Sequence, residues 1–195
     1  MDADRAGTRG GDGGHPPTGD AEHAASGVTV PNDSEVAAVP SPIGRVVTKL
    51  QADAPRLVAN WAIRVANLPA FRATPELNLV DLRDAMPEIL TAALTAMAAA
   101  DVDLDPEPVE RACAAAATHG AARARGGFGI GAVLEEYHQL RSVVWAAIWR
   151  MVDQEPGLES VVREAQPRVS RAFGDVTVAA AEAWAAAGHA SATTA

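Results

Sequence analysis

Aromatic residues, thiols and lysine are all scarce in this chain of 195 residues, and each scarcity excludes something. Aromatics make up 4% of the chain, so its core cannot be built on large rings. Cys113 is the single cysteine, which rules out an intramolecular disulfide or a thiolate metal cluster. Its flanks, Arg-Ala-Cys-Ala-Ala, place it on an alanine-rich helix with no basic residue one turn away. A packed thiol is therefore expected rather than a redox sensor. Lys49 is the only lysine, and 25 acidic residues outweigh 16 basic ones for a net charge of −9 and a pI near 4.9. With no cationic stripe, neither nucleic acid nor an anionic membrane is an expected partner.

Long apolar runs are missing as well. The amino terminus has none, so no signal peptide is expected, and Asp101, Asp103 and Glu182 interrupt the alanine-rich segments before they reach membrane-spanning length. A cytoplasmic location follows as an expectation. There is no Gly-x-Ser-x-Gly elbow and no Gly-x4-Gly-Lys phosphate loop. The Asp101–Asp105 run lacks the glycine and glutamate of a calcium loop. No catalytic residue, metal site or cofactor is expected, and the protein reads as a non-enzyme.

What the chain has is alanine, the best helix former, within a 48% hydrophobic composition. Alternating β-branched runs are absent, so the expected fold is all-α, an antiparallel bundle of about five helices, some kinked at proline. Residues 1–40 are rich in Gly, Pro, Asp and Thr and are expected to be a disordered tail. The helical domain should span 41–188, with 189–195 a second tail. Ser41-Pro42 should cap the first helix, which Pro55 kinks or splits. Asn78 is a candidate cap for the second, with Leu82, Met86, Leu90, Leu94 and Met97 as its stripe and Pro87 as a break. Asp105-Pro106 should open the third and Gly126-Gly127 close it. The fourth should run from about Gly129 to Asp153. The fifth should run from Gly157 to about Ala187, with a heptad-like series through Leu158, Val162, Ala165, Val169, Ala172, Val176, Ala179 and Ala183.

Spacing at about 100° per residue assigns faces. On the third helix, Val109, Ala112, Cys113, Ala116 and Gly120 form a small-residue face flanked by His119 and Arg123. On the fourth, Ile130, Val133, Tyr137, Val144, Ile148 and Met151 form the apolar stripe, with Arg141 inside it and Glu136 at its edge. A buried arginine needs an acceptor. The expected polar network, or signal site, is therefore His119, Arg123, Glu136, Tyr137 and Arg141. It would serve as a ligand pocket or bistable switch, or alternatively fix helix register while Arg141 snorkels to the rim. Trp145 and Trp149 flank the stripe and are the candidate dimer interface. Glu135 and His138 have di-iron spacing, but a second such pair and two further inward glutamates are missing. A haem ligated by His119 is the other cofactor reading to be weighed.

The series His119-Gly120-x-x-Arg123, Gly127-Phe128 and Glu136-Tyr137-x-x-Leu140-Arg141, preceded by Trp61 and by Leu82-Arg83-Asp84-Ala85-Met86-Pro87-Glu88-Ile89-Leu90, resembles the N-terminal domain of RsbT co-antagonist (RsbRD-type) proteins. The similarity covers about residues 43–187. It implies a bacterial sensory or regulatory stress-signalling domain, haem-free, related to globin-like helical domains that form dimers. Such domains are usually fused to an output module, for which no residues remain here. The expectation is a stand-alone module that acts as a homodimer, through a partner protein or by binding a small signal molecule.

Overall fold

Proline and glycine set the helix boundaries in this all-α fold. In a computed structural model the described residues are 41–73, 85–99 and 106–193, with side chains described to residue 189. Seven helices occur among them, and no strand. The expected caps at Asn78 and the stripe residue Leu82 lie outside the described residues, as do the tail residues 1–40 and 194–195.

Helix α1 (Pro42–Ala52) begins where the Ser41 hydroxyl accepts a hydrogen bond from the Gly44 amide at 3.1 Å, with Pro42 in the first turn. Pro55 splits the segment rather than bending it. Helix α2 (Ala54–Ala66) starts afresh after Asp53, whose carbonyl accepts from the amides of Arg56 and Leu57. A single turn, α3 (Pro69–Arg72), tucks Phe71 into the core. Helix α4 (Met86–Ala99) carries Pro87 in its first turn, where the missing N–H has no helical partner to lose. The segment that Pro87 was expected to break lies before residue 85, outside the described residues; within this helix Met86, Leu90, Leu94 and Met97 are buried as the spacing predicts.

Helix α5 (Glu107–Arg125) carries Glu107 and Glu110 in its first turn. It ends in a Schellman motif: the Gly127 amide donates to Ala124 O and the Phe128 amide to Arg123 O, with Gly127 at φ 79°. Helix α6 (Ile130–Gln154) follows at once. Gly157, at φ 95°, turns the chain into α7 (Glu159–Thr193), which runs past the expected limit near Ala187. The buried residues of α7 are Val161, Ala165, Val169, Ala172, Phe173, Val176 and Ala180, so Val161 and Ala180 take core places that the heptad reading gave to Val162 and Ala179. Pro167 lies within this helix.

Helices α5 and α7 form the most extensive pair, α6 lies on α7 and α2, and α4 packs on α5, α7 and α1. A side chain at Gly120 would have no room: its Cβ would lie 2.1 Å from the carbonyl oxygen of Ala180. The backbones of α5 and α6, by contrast, come close at few points. At the foot of the bundle, Arg168 donates to the Met97 carbonyl at 3.1 Å, satisfying an acceptor in the last turn of α4.

Candidate functional site

Three charged or ionisable side chains bridge α5 and α6. Glu136 on α6 is fully buried, at 0% exposure, with His119 at 5% and Arg123 at 6%. These two, four residues apart on α5, stack on one face and reach the same carboxylate. Arg123 Nε donates to Glu136 Oε1 at 2.8 Å, and His119 Nε2 lies 2.7 Å from Oε2. A carboxylate paired with a guanidinium is acceptor-only, so the ring N–H of His119 is the donor in the second contact. Both oxygens of Glu136 are thus engaged, and Arg123 offsets its charge.

Four of the chain's eight aromatic residues close around this cluster. Trp61 of α2, itself fully buried, donates its indole N–H to the Glu136 backbone carbonyl at 2.9 Å. Phe71 and Phe128 stack with centroids 4.8 Å apart, and the Arg123 guanidinium carbon lies 5.8 and 5.5 Å from the two ring centres. Such contacts favour a desolvated cation. The Phe128 carbonyl in turn accepts from Trp184 of α7 at 2.7 Å. Tyr137 meets the His119 ring edge-on, with centroids 6.1 Å apart. Its hydroxyl is buried and has no hydrogen-bond partner among the described residues. Burial, with the neighbouring Glu136 charge second, pushes that phenol well above its ordinary pKa, so it stays protonated.

The expected network of five is therefore a cluster of three beside Tyr137, and Arg141 is not part of it. The side chain of Arg141 is exposed, and it borders a cleft with Leu134, Glu135, His138, Phe173 and Thr177. The reason is rotational. The buried arc of α6 runs through Val133, Glu136, Tyr137, Leu140, Val143, Val144, Ala147 and Ile148. Its centre is turned toward Leu140 compared with the stripe read from spacing, which omitted Leu140, Val143 and Ala147. The same rotation brings Glu136 inside and carries Arg141 out. The buried arginine that Glu136 answers is Arg123.

Of the candidate interface pair, Trp145 is half-buried against the core and Trp149 is 50% exposed. Glu135 accepts from Gln139 at 2.8 Å and His138 is exposed. Among the described residues no three metal-ligating side chains converge. His119 Nε2 could ligate iron only by giving up Glu136. Cys113 is partly buried, and burial, with Asp175 second, raises its thiol pKa. Among the described residues, no helix is long and apolar enough to cross a membrane.

Sequence reasoning missed Phe71 and Trp184 altogether, and placed Trp61 without its role. Their rarity was the available signal: in a chain this poor in rings, five of the eight gather at or beside one cluster.

Among the described residues, the buried polar cluster of His119, Arg123 and Glu136 ties α5 to α6 inside an all-α domain. The chain belongs to the RsbT co-antagonist protein rsbRD N-terminal domain family, whose model matches residues 55–195, and that family is one of stress-signalling domains. The match includes the whole cluster and the aromatic residues around it. Searches of curated proteins and of solved structures find no match.

Proposed function

We propose that the chain is a non-catalytic, cytoplasmic signalling module that works by protein–protein association, as a homodimer and with a further protein of its pathway. The observation that supports this best is the outer side of α6. Leu134, His138, Arg141, Trp145 and Trp149 recur there every three or four residues, with Leu134 42% and Trp149 50% exposed. An indole half in water on a helix whose opposite side already fills the core is apolar surface left for a partner. A second copy of the chain would cover it.

His119, Arg123 and Glu136 then act as the register lock between α5 and α6. Any shift of one helix along the other breaks both contacts to Glu136 together, which makes this junction suited to two discrete arrangements. Sedimentation velocity of the wild type and of Trp149→Ser tests the interface. The expected result is a dimer that becomes a monomer with unchanged circular dichroism. A wild type that is monomeric at micromolar concentration, or a dimer indifferent to the substitution, would overturn it.

A second reading rests on the cleft of about 380 Å³ between α6 and α7, where Tyr137 and Phe173 meet His138, Arg141 and Thr177. It supports a small anionic ligand held by Arg141. Thermal-shift screening of small carboxylates against the wild type and Arg141→Ala separates the two readings.

A further inference from the structure

We infer that the cleft between α2 and α6 docks an acidic, amphipathic helix of a partner protein. The cleft, of about 330 Å³, is lined by Asn60, Ile63 and Arg64 of α2 and by Val143, Ala146 and Arg150 of α6. No acid lines it. Ile63 is 57% exposed, and Val143 is buried at the base. Arg64 forms no ion pair with a described side chain, and neither does Arg150.

The charge there is concentrated, not incidental. Arg150 also borders the adjoining cleft of Lys49, Asp53, Arg56, Met151, Gln154 and Glu155. In that cleft the cations are answered: Lys49 pairs with Glu155, and Arg56 pairs with Asp53 at 2.8 Å. The unanswered charge is left at Arg64 and Arg150, on either side of an exposed isoleucine. The sequence carries the same asymmetry. Residues 41–73 hold Arg45, Lys49, Arg56, Arg64 and Arg72 against the single acid Asp53, in a chain whose net charge is −9. Total charge hides this basic segment.

The occupant must present carboxylates to two guanidiniums and an apolar side chain to Ile63 and Ala146. A helix with glutamate or aspartate flanking one apolar stripe does both, and a groove between two helices accepts such a ligand along its length. A symmetric contact with a second copy centred here would set arginine against arginine. A nucleic acid would want a longer cationic run than two arginines. The inference does not rest on the Trp149 side of α6, so either can fail alone.

The test is selection from a displayed library of helical peptides on the full chain, followed by fluorescence anisotropy with the enriched peptides. The variants are Arg64→Glu/Arg150→Glu, Arg64→Lys/Arg150→Lys and Ile63→Ser, all at exposed positions and checked for an unchanged melting midpoint. The expected peptides are acidic with one apolar stripe. Their affinity should fall at least about tenfold in the charge-reversed variant, recover in part with the lysines, and weaken with Ile63→Ser and with salt. Three results would overturn the inference: enriched peptides with no acidic excess over the starting library; affinities within about twofold after reversal of both arginines; or no enriched peptide, while a single-stranded oligonucleotide or a phosphatidylserine vesicle binds in an arginine-dependent way.

Discussion

On one side of α5, Gly120 has no side chain and α7 comes so close that its Ala180 carbonyl occupies the place of a Cβ. On the other side the neighbouring residue, His119, reaches across to α6, where the backbones stay apart and three polar side chains span the space. The first contact is held by dispersion and the absence of bulk, the second by charge in a site screened from water. Close packing against backbone cannot yield to an added atom. A buried ion pair yields little stability in itself but is costly to leave half-made. The two contacts should therefore fail differently.

The largest effect is expected from Glu136→Ala, which leaves Arg123 buried without its counter-ion. We expect a loss of about 3–5 kcal/mol in urea unfolding. A loss under about 1 kcal/mol would mean that Arg123 finds water or another acceptor. Gly120→Ala comes next, at about 3 kcal/mol, because the clash is with backbone and not with a side chain that can turn away. A smaller cost would show that α7 shifts readily along α5.

The comparison sharpens when the whole cluster is replaced. The triple change His119→Leu, Arg123→Met, Glu136→Leu should restore stability to within about 1 kcal/mol of the wild type, although the single change Glu136→Ala is severe. No equivalent rescue exists at Gly120. If the cluster fixes register, the triple variant should retain its melting midpoint yet lose slow exchange of the α5 and α6 amides, read by hydrogen exchange. The smallest expected effect is that of Tyr137→Phe. Removing a buried hydroxyl that has no partner among the described residues should raise stability by at most about 1 kcal/mol. A clear loss would reveal an ordered water on that oxygen.

Much of this architecture was legible in the sequence. Ser41-Pro42, Pro106 and the Gly126-Gly127 pair mark helix ends because each acts through local backbone geometry: a side-chain acceptor, a fixed φ, a positive φ. The small-residue face of α5 was legible for the same local reason, and so were His119, Arg123 and Glu136 as inward candidates. Pro87 shows the limit of such signals, since proline marks a boundary without saying which side of it is helix. Arg141 misled because a stripe read at ideal spacing tolerates a rotation of one position, and that rotation decides between Glu136 and Arg141.

Sequence alone thus settled that the chain is helical, where α1 begins, where α5 and α6 begin and end, and which family's signature it carries. Each of these depends on interactions within a few residues or on residue order. Only the tertiary structure decided that Glu136 answers both His119 and Arg123, that Trp61, Phe71 and Phe128 gather on that cluster, and that the cations of α2 and α6 share a cleft. Those pairings join positions far apart in the chain, and helix rotation and the crossing of α5, α6 and α2 fix them. No local spacing encodes either.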